Sequence, residues 1–334
     1  MSRSTDLRVL IAPGVLRGRP GAFRELLTAQ GYTLVEPPGG DVLPEAELIP
    51  WLGAVDAILA GAEAYPDHVL AHAGRARILA RVGVGYDNVD VAAATARSLP
   101  VTITPGTNHE AVAEHALALL LALTRLVVRD DRRIRQGQWV RSIVTPVRET
   151  TLGLVGLGRI GQALVPRARG LAMRVIAHDP MPEVVEAARR LDVPLVSLDE
   201  LLATADIVSL HAPITPETVH LINRERLALM KPTSYLINTS RGRLVDEAAL
   251  LDALTSGRLA GAGLDVLEEE PPPADHPFFA LDNVVLTPHT AGVDCRSLDD
   301  MAELAARCIV ARLTGQPIPP GCLLNPAALR DHRD

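Results

Sequence analysis

In the second half of the chain a few polar residues close short apolar runs: Arg241 in Asn238-Thr-Ser-Arg-Gly-Arg-Leu-Val-Asp246, Asp265 and Glu270 in Gly263-Leu-Asp-Val-Leu-Glu-Glu-Glu-Pro271, and His289 in Leu286-Thr-Pro-His-Thr-Ala-Gly292. A histidine beside a carboxylate can donate a proton near neutral pH, and an arginine can grip a carboxylate at two points. Together they are what addition of a hydride to a ketone would need. Each residue alone also has a plainer reading: an arginine in a capping loop, an acidic surface run, a histidine satisfied in a core. Their common position at the ends of strand-like runs is what favours chemistry, because open α/β sheets take their ligands at the carboxyl ends of strands.

The element that organises these residues is Thr151-Leu-Gly-Leu-Val-Gly-Leu-Gly-Arg-Ile-Gly-Gln162. It reads as strand, tight turn and helix. Gly156 allows the turn, Gly158 lets backbone approach a pyrophosphate, and Gly161 lets the helix pack on the strand, with phosphate at the helix N-terminus. A G-x-G-x-x-G alone is weak. Here it follows an apolar run, and a second run, Met173-Arg-Val-Ile-Ala-His178, ends in Asp179, where an acid would accept hydrogen bonds from ribose hydroxyls. Dinucleotide binding is expected, with NAD favoured over NADP because a carboxylate there repels a 2′-phosphate.

The 334 residues predict about two domains. A net charge of −7 leaves no basic footprint for nucleic acid, and the run Arg129 to Arg135 contains Asp130 and Asp131, so it reads as a solvated helix face. Cys295, Cys308 and Cys322 lack the paired spacing of a metal site, which predicts no metal and a reduced, cytoplasmic protein. No signal-like apolar core opens the chain, and the run Ala116 to Leu123 is too short to span a membrane.

From residue 7 to about 105, apolar runs at Val9–Ile11, Thr33–Val35, Ala57–Ala60, Ile78–Val82 and Val101–Ile103 alternate with helical stretches, which predicts βα units around a parallel sheet. The run ending at Val82 opens into Gly83-Val-Gly85-Tyr-Asp-Asn-Val-Asp90, a ligand loop or only a connection in which Asp90 caps a helix. Asn108 is expected to cap one long apolar helix from about 109 to 128, followed by Trp139 in a polar loop. After the glycine motif, runs beginning at Met173, Ile207, Tyr235, Ala260 and Val284 predict a second doubly wound sheet, and a helix from Arg296 to Leu313 is expected to return the chain to the first domain.

Over roughly residues 50 to 315, the segments GVGYDNVD, TPGTNHEAVAEH, GLVGLGRIG, INTSRGRLVDE, GLDVLEEEP and TPHTAG resemble, in order and spacing, the NAD-dependent D-isomer-specific 2-hydroxyacid dehydrogenases. The resemblance implies an α/β fold of two doubly wound parallel-sheet domains. A Rossmann-type NAD domain (106–289) would be inserted into a flavodoxin-like substrate domain (1–105 and 290–334), with the active site in the cleft between. By position, Arg241 resembles the residue that holds the substrate carboxylate, His289 the acid/base and Glu270 the carboxylate that orients it. Backbone at Val84 and Gly85, with Asn108, would meet the substrate. Arg159 and Ile160 would lie by the pyrophosphate and Asp179 by the ribose. Ala212 and Pro213 would run along the adenosine side, with Thr239 and Asp265 at the nicotinamide and Gly292 also among the cofactor-binding residues.

The family's usual homodimer is also implied, with Trp139 reaching toward the neighbouring subunit. Within the family the pattern is most like short D-3-phosphoglycerate dehydrogenases, and next like glyoxylate or hydroxypyruvate reductases. Arg81 matches a phosphate-contacting arginine of some phosphoglycerate enzymes. A second such arginine is replaced by Gly61-Ala62-Glu63, so 3-phosphoglycerate is a narrow favourite. A different class, NAD-sensing corepressor-like proteins, shares the triad.

Overall fold

The computed structural model describes residues 7–329, which fall into two compact units, 7–108 with 294–329 and 109–293. The second unit is thus inserted in the chain of the first. The divisions lie a few residues beyond positions 105 and 289 because the helix His109–Thr124 packs wholly with the second unit's sheet and the helix Cys295–Thr314 with the first's.

In the first unit, β1 (Arg8–Ile11), β2 (Thr33–Val35), β3 (Ala57–Ala60), β4 (Leu79–Arg81) and β5 (Val101–Thr102) form a parallel sheet in the order β2-β1-β3-β4-β5. That is the flavodoxin-like order. Alternation explains why both faces are covered. Val9 and Ile11 point into one core with Phe23, Leu27 and the helix Cys295–Thr314, while Leu10 points into the other with Leu48, Ile58 and Leu79. Asp90 accepts from the Ala93 amide at 2.8 Å and starts the helix Val91–Ala96.

The second unit carries six parallel strands, β6 (Thr151–Val155), β7 (Arg174–His178), β8 (Ile207–Leu210), β9 (Tyr235–Asn238), β10 (Gly261–Leu264) and β11 (Val284–Leu286), in the order β11-β10-β9-β8-β6-β7. A lone bridge between Ala177 and Leu195 adds a one-residue edge beyond β7, which completes the strand order of a dinucleotide-binding sheet. Small residues bring a helix close: a Cβ on Gly263 would meet the Leu119 side chain of His109–Thr124 at 3.0 Å.

One helical expectation changes. The chain does not run as a single helix from 109 to 128, because Leu126 adopts the left-handed conformation (φ 56°) and the next helix, Val127–Arg135, departs at 57°. The apolar pattern continues through Val127 and Val128, so hydrophobicity alone hides the break. Among the described residues no single helix is long and apolar enough to cross a membrane, and no group of three or more His, Cys, Asp or Glu is arranged to hold a metal.

Candidate active site

The three motif glycines of the second unit each answer a different steric demand. Gly156 has φ 103°, and a Cβ there would lie 2.8 Å from the carbonyl carbon of His211. A Cβ on Gly161 would lie 2.4 Å from the Gly156 oxygen, so this glycine is required for the helix Arg159–Gly170 to close on β6. Gly158 has nothing within 4 Å of that position and, with Arg159, is exposed, leaving room for a ligand's backbone contacts at the helix N-terminus. Ile160 is half-buried behind it. Asp179, one residue beyond β7, accepts from the Leu157 amide at 2.8 Å and the Met181 amide at 3.0 Å, so the acid is tied to the glycine loop itself.

Around the carboxyl ends of β8 and β9, polar atoms point inward without protein partners. The Thr239 hydroxyl and the His211 Nδ1 are both sealed and unbonded, while His211 Nε2 lies 2.9 Å from the Ser209 hydroxyl. Burial lowers the His211 pKa to about 4, so the ring is neutral near pH 7. Ala212 is half-buried, its carbonyl accepting from the Ser240 hydroxyl at 2.7 Å, and Pro213 is exposed. An open glycine cradle, an acid just beyond β7 and unbonded groups near β8 and β9 fit a dinucleotide.

The three residues with candidate chemistry converge. Asn238 at the end of β9 holds the Arg241 turn by donating from Nδ2 to the Arg241 carbonyl (2.8 Å) and accepting from the Ser240 amide (3.0 Å). Glu270 Oε1 accepts from the Leu267 amide at 2.9 Å, and Oε2 lies 2.6 Å from His289 Nδ1. Burial works to raise the Glu270 carboxyl. The hydrogen bond and charge of His289, the Leu267 amide and the charge of Arg241 outweigh it and hold Glu270 below the ordinary glutamate value. With Glu270 on Nδ1, the opposite nitrogen, Nε2, is left to exchange a proton with a substrate.

Asp265 is the hub beneath this pair. Its side chain is 0% exposed. It accepts from the Thr287 hydroxyl (2.6 Å), the Thr290 amide (2.9 Å) and the Ala291 amide (2.8 Å), and its own carbonyl accepts from the His289 amide (2.8 Å). Expected beside the nicotinamide, it holds with its carboxylate the loop Thr287–Ala291, in which His289 has φ 54°. His115 joins this hub: with its proton given to Asp265, Thr287 accepts from His115 Nε2 at 2.9 Å. Sequence reasoning passed over His115, Thr287 and Gly242. The only signal for His115 was a second histidine in the HEAVAEH segment, before the helix's long apolar run.

The family model for the D-isomer specific 2-hydroxyacid dehydrogenase NAD binding domain matches residues 117–291. Glyoxylate reductase of Pyrococcus furiosus is 43% identical over 288 residues, covering 83% of this chain and 85% of that protein. D-3-phosphoglycerate dehydrogenase of Mycobacterium tuberculosis is 46% identical over 253 residues, 75% of this chain but 48% of that protein. Among solved structures, the TT0316 protein of Thermus thermophilus superposes with a TM-score of 0.83 at 40% identity, covering 94% of this chain and 99% of that one. The chain belongs to the D-isomer-specific 2-hydroxyacid dehydrogenases. It is an NAD-dependent enzyme of two parallel-sheet domains, and its relatives align better with the glyoxylate reductase alternative than with the phosphoglycerate reading favoured from sequence.

The remaining expected site residues of this dehydrogenase lie in the first unit. Val84 is 36% exposed on the turn after β4, next to half-buried Gly85, and Asn108 is half-buried at the unit's last residue before the insertion. Arg81, half-buried at the end of β4, donates to the Val82 carbonyl, and its charge acts on the buried Glu63.

Proposed function

We propose that the enzyme reduces small, unphosphorylated 2-keto acids of the glyoxylate and hydroxypyruvate type with NADH. What supports this substrate class is the set of glyoxylate reductases that align over 74% to 83% of this chain and 76% to 85% of their own length. NADH supplies the hydride. In this reading Arg241 grips the substrate carboxylate with its planar guanidinium, assisted by the backbone at Val84 and Gly85 and by Asn108. His289 Nε2 delivers the proton to the carbonyl oxygen as that oxygen gains charge, and Glu270 orients the ring and stabilises its charged form before transfer. Asp179 takes the ribose diol, Gly156, Gly158, Arg159, Ile160 and Gly161 the pyrophosphate, and Ala212, Pro213, Thr239 and Gly292 the remaining cofactor surface. Asp265 works through the loop that carries His289.

A homodimer belongs to the same proposal. The helix Val127–Arg135 and the segment after it present Val127, Ile134, Trp139 (81% exposed) and Ile143 (100% exposed), apolar surface of the kind an interface covers. The deciding experiment is NADH oxidation with a panel of glyoxylate, hydroxypyruvate, 3-phosphohydroxypyruvate and pyruvate. Highest kcat/KM on glyoxylate or hydroxypyruvate supports the proposal, and a preference for the phosphorylated acid defeats it.

A further inference from the structure

The loop that carries Glu270 is held at two places by a carboxylate outside the triad. Glu247 is half-buried and opens the helix Glu247–Thr255 of the second unit. Its Oε1 accepts from the Glu268 amide at 2.8 Å, two residues before Glu270. Its Oε2 meets Nε2 of His276 at 3.3 Å, six residues after Glu270. One carboxylate thus closes the loop on both sides of the acid that faces His289. The His276 contact has a direction. The Phe278 amide donates to His276 Nδ1 at 3.4 Å, which requires a lone pair on that nitrogen and leaves the hydrogen on Nε2, aimed at Glu247. The imidazole is buried, with ring contacts to Phe278 and Phe279 at centroid distances of 5.0 and 5.6 Å.

What Glu247 grips is the peptide between Leu267 and Glu268. The Leu267 carbonyl carbon packs against Gly242, where a Cβ would lie 1.9 Å from it, and the nitrogen of the same peptide donates to Glu247. Just before this peptide, the Leu267 amide donates to Glu270 Oε1 at 2.9 Å, and Glu270 Oε2 lies 2.6 Å from His289 Nδ1. The orientation of the Leu267 amide therefore decides which way the Glu270 carboxylate faces. Against burial, which works to raise it, the Glu270 carboxyl is lowered by His289, by this amide and by Arg241. Glu268 turns its own carboxylate to His220 Nε2 at 2.9 Å and to the Glu247 amide at 3.4 Å, so its tie to the Glu247 side chain is through the backbone nitrogen. A glutamine at 247 would offer one oxygen to two donors, so only a carboxylate serves both ends of the loop.

We propose that Glu247 is a positioning residue for the reaction: by dividing its carboxylate between the Glu268 amide and His276, it keeps the Leu267 amide on Glu270 and so aims Glu270 at His289. This role rests on the reading of Glu270 as the carboxylate that orients His289. Without Glu247 the Leu267–Glu268 peptide keeps only its packing on Gly242, and the Leu267 amide turns away from Glu270. A carboxylate that loses a hydrogen-bond donor holds its proton more tightly, so Glu270 titrates at higher pH while its charged neighbours, His289 and Arg241, stay the same. The helix cap is a separate device. Asp246 accepts from the Ala249 amide at 2.9 Å, and its removal weakens the helix start without touching the loop.

The test is an NMR titration of side-chain carboxyls in protein labelled at the glutamate carboxyl carbon, with Glu270 identified by the resonance missing in Glu270→Gln. In Glu247→Ala the Glu270 midpoint should rise by roughly half a pH unit or more, the order expected for one lost hydrogen bond. Reductive kcat should fall about tenfold with KM for the 2-keto acid held within about twofold, because Asn238 still holds the Arg241 turn and the loss is felt in proton transfer. Asp246→Ala should lower the denaturation midpoint and leave the Glu270 titration in place. A Glu270 midpoint unmoved in folded Glu247→Ala, or moved equally by Asp246→Ala, overturns the inference. Should Glu247→Ala not fold, Glu247→Gln keeps the side chain's shape with one acceptor lost, and a raised or unmoved Glu270 midpoint there decides in the same way. If Glu270→Gln leaves the acidic side of the reductive profile unchanged, the reading of Glu270 as the orienting carboxylate fails on its own. The NMR midpoint needs no turnover and still decides the role of Glu247.

Discussion

Gly242 and Leu267 meet backbone to backbone: a Cβ at position 242 would lie 1.9 Å from the Leu267 carbonyl carbon and 2.4 Å from the Glu268 nitrogen. This contact joins the turn that carries Arg241 to the loop that carries Glu270, and it explains how residues 29 positions apart come to share a charge environment. The Glu268 amide then donates to Glu247 at 2.8 Å, fastening the loop from its other side. Gly242→Ala has no flexible neighbour to push aside, so backbone must move, at a cost of about 1 to 3 kcal/mol. A displacement of about 1 Å in a catalytic group can cost on the order of 10²-fold. The folded variant should therefore lose kcat by roughly that factor, with a lower denaturation midpoint. Wild-type kcat in a folded Gly242→Ala would show that this contact does not set the site.

Asp179 bears on cofactor choice through two functions at once. Its carboxylate anchors the Leu157 amide and presents negative charge at the end of β7. NADH should be preferred over NADPH, and Asp179→Ala should narrow the preference by at least tenfold, with part of the change appearing as a raised KM for NADH because the glycine loop loses its anchor. Equal use of NADPH by wild type would remove the ribose role.

Much of this arrangement was legible in the sequence because the determinants are local. Strand runs such as Ala57–Ala60 and Tyr235–Asn238 coincide with observed strands, since a buried parallel strand is a short, largely apolar run bounded by turns. The three glycines could be assigned separate duties because each demand is a matter of a few neighbouring atoms. The break at Leu126 was not legible, because a left-handed leucine leaves no mark in an apolar pattern. Gly242 and His115 were missed for a different reason. Their importance comes from partners 25 and 172 residues away, Leu267 and Thr287, and nothing in a linear pattern marks a pairing at such distances.

His211 predicts how stability responds to acid. Its folded pKa of about 4 lies below the ordinary histidine value, so the native state holds the ring neutral while the unfolded chain protonates it. Stability from this residue is fully present above about pH 6.5 and declines as pH falls toward the folded value. At pH 5 the loss amounts to up to about 2 kcal/mol relative to pH 7.5. Unfolding free energies from urea titrations at the two pH values should differ less in His211→Gln than in wild type by that amount. An equal pH response in both proteins would mean that the ring gains a proton in the native state.

The pair His289–Glu270 predicts the pH dependence of the reaction itself. Glu270 is held below the ordinary glutamate value, so it is ionised across the neutral range, and its support for the pair disappears only as pH falls through that lowered value. The acidic side of the reductive profile should therefore stay flat until below the usual carboxylate range. Glu270→Gln removes the anion 2.6 Å from His289 Nδ1 while keeping the side chain's shape. The acidic fall set by that carboxylate should then disappear. His289→Ala should cost about 10² to 10⁴-fold in rate. Glu268 is the control, because its carboxylate lies 2.9 Å from His220 instead and faces a different histidine. Glu268→Gln should leave the profile of the reductive rate in place. A profile that moves with Glu268→Gln and not with Glu270→Gln would reassign the orienting carboxylate, whatever the geometry of the resting pair.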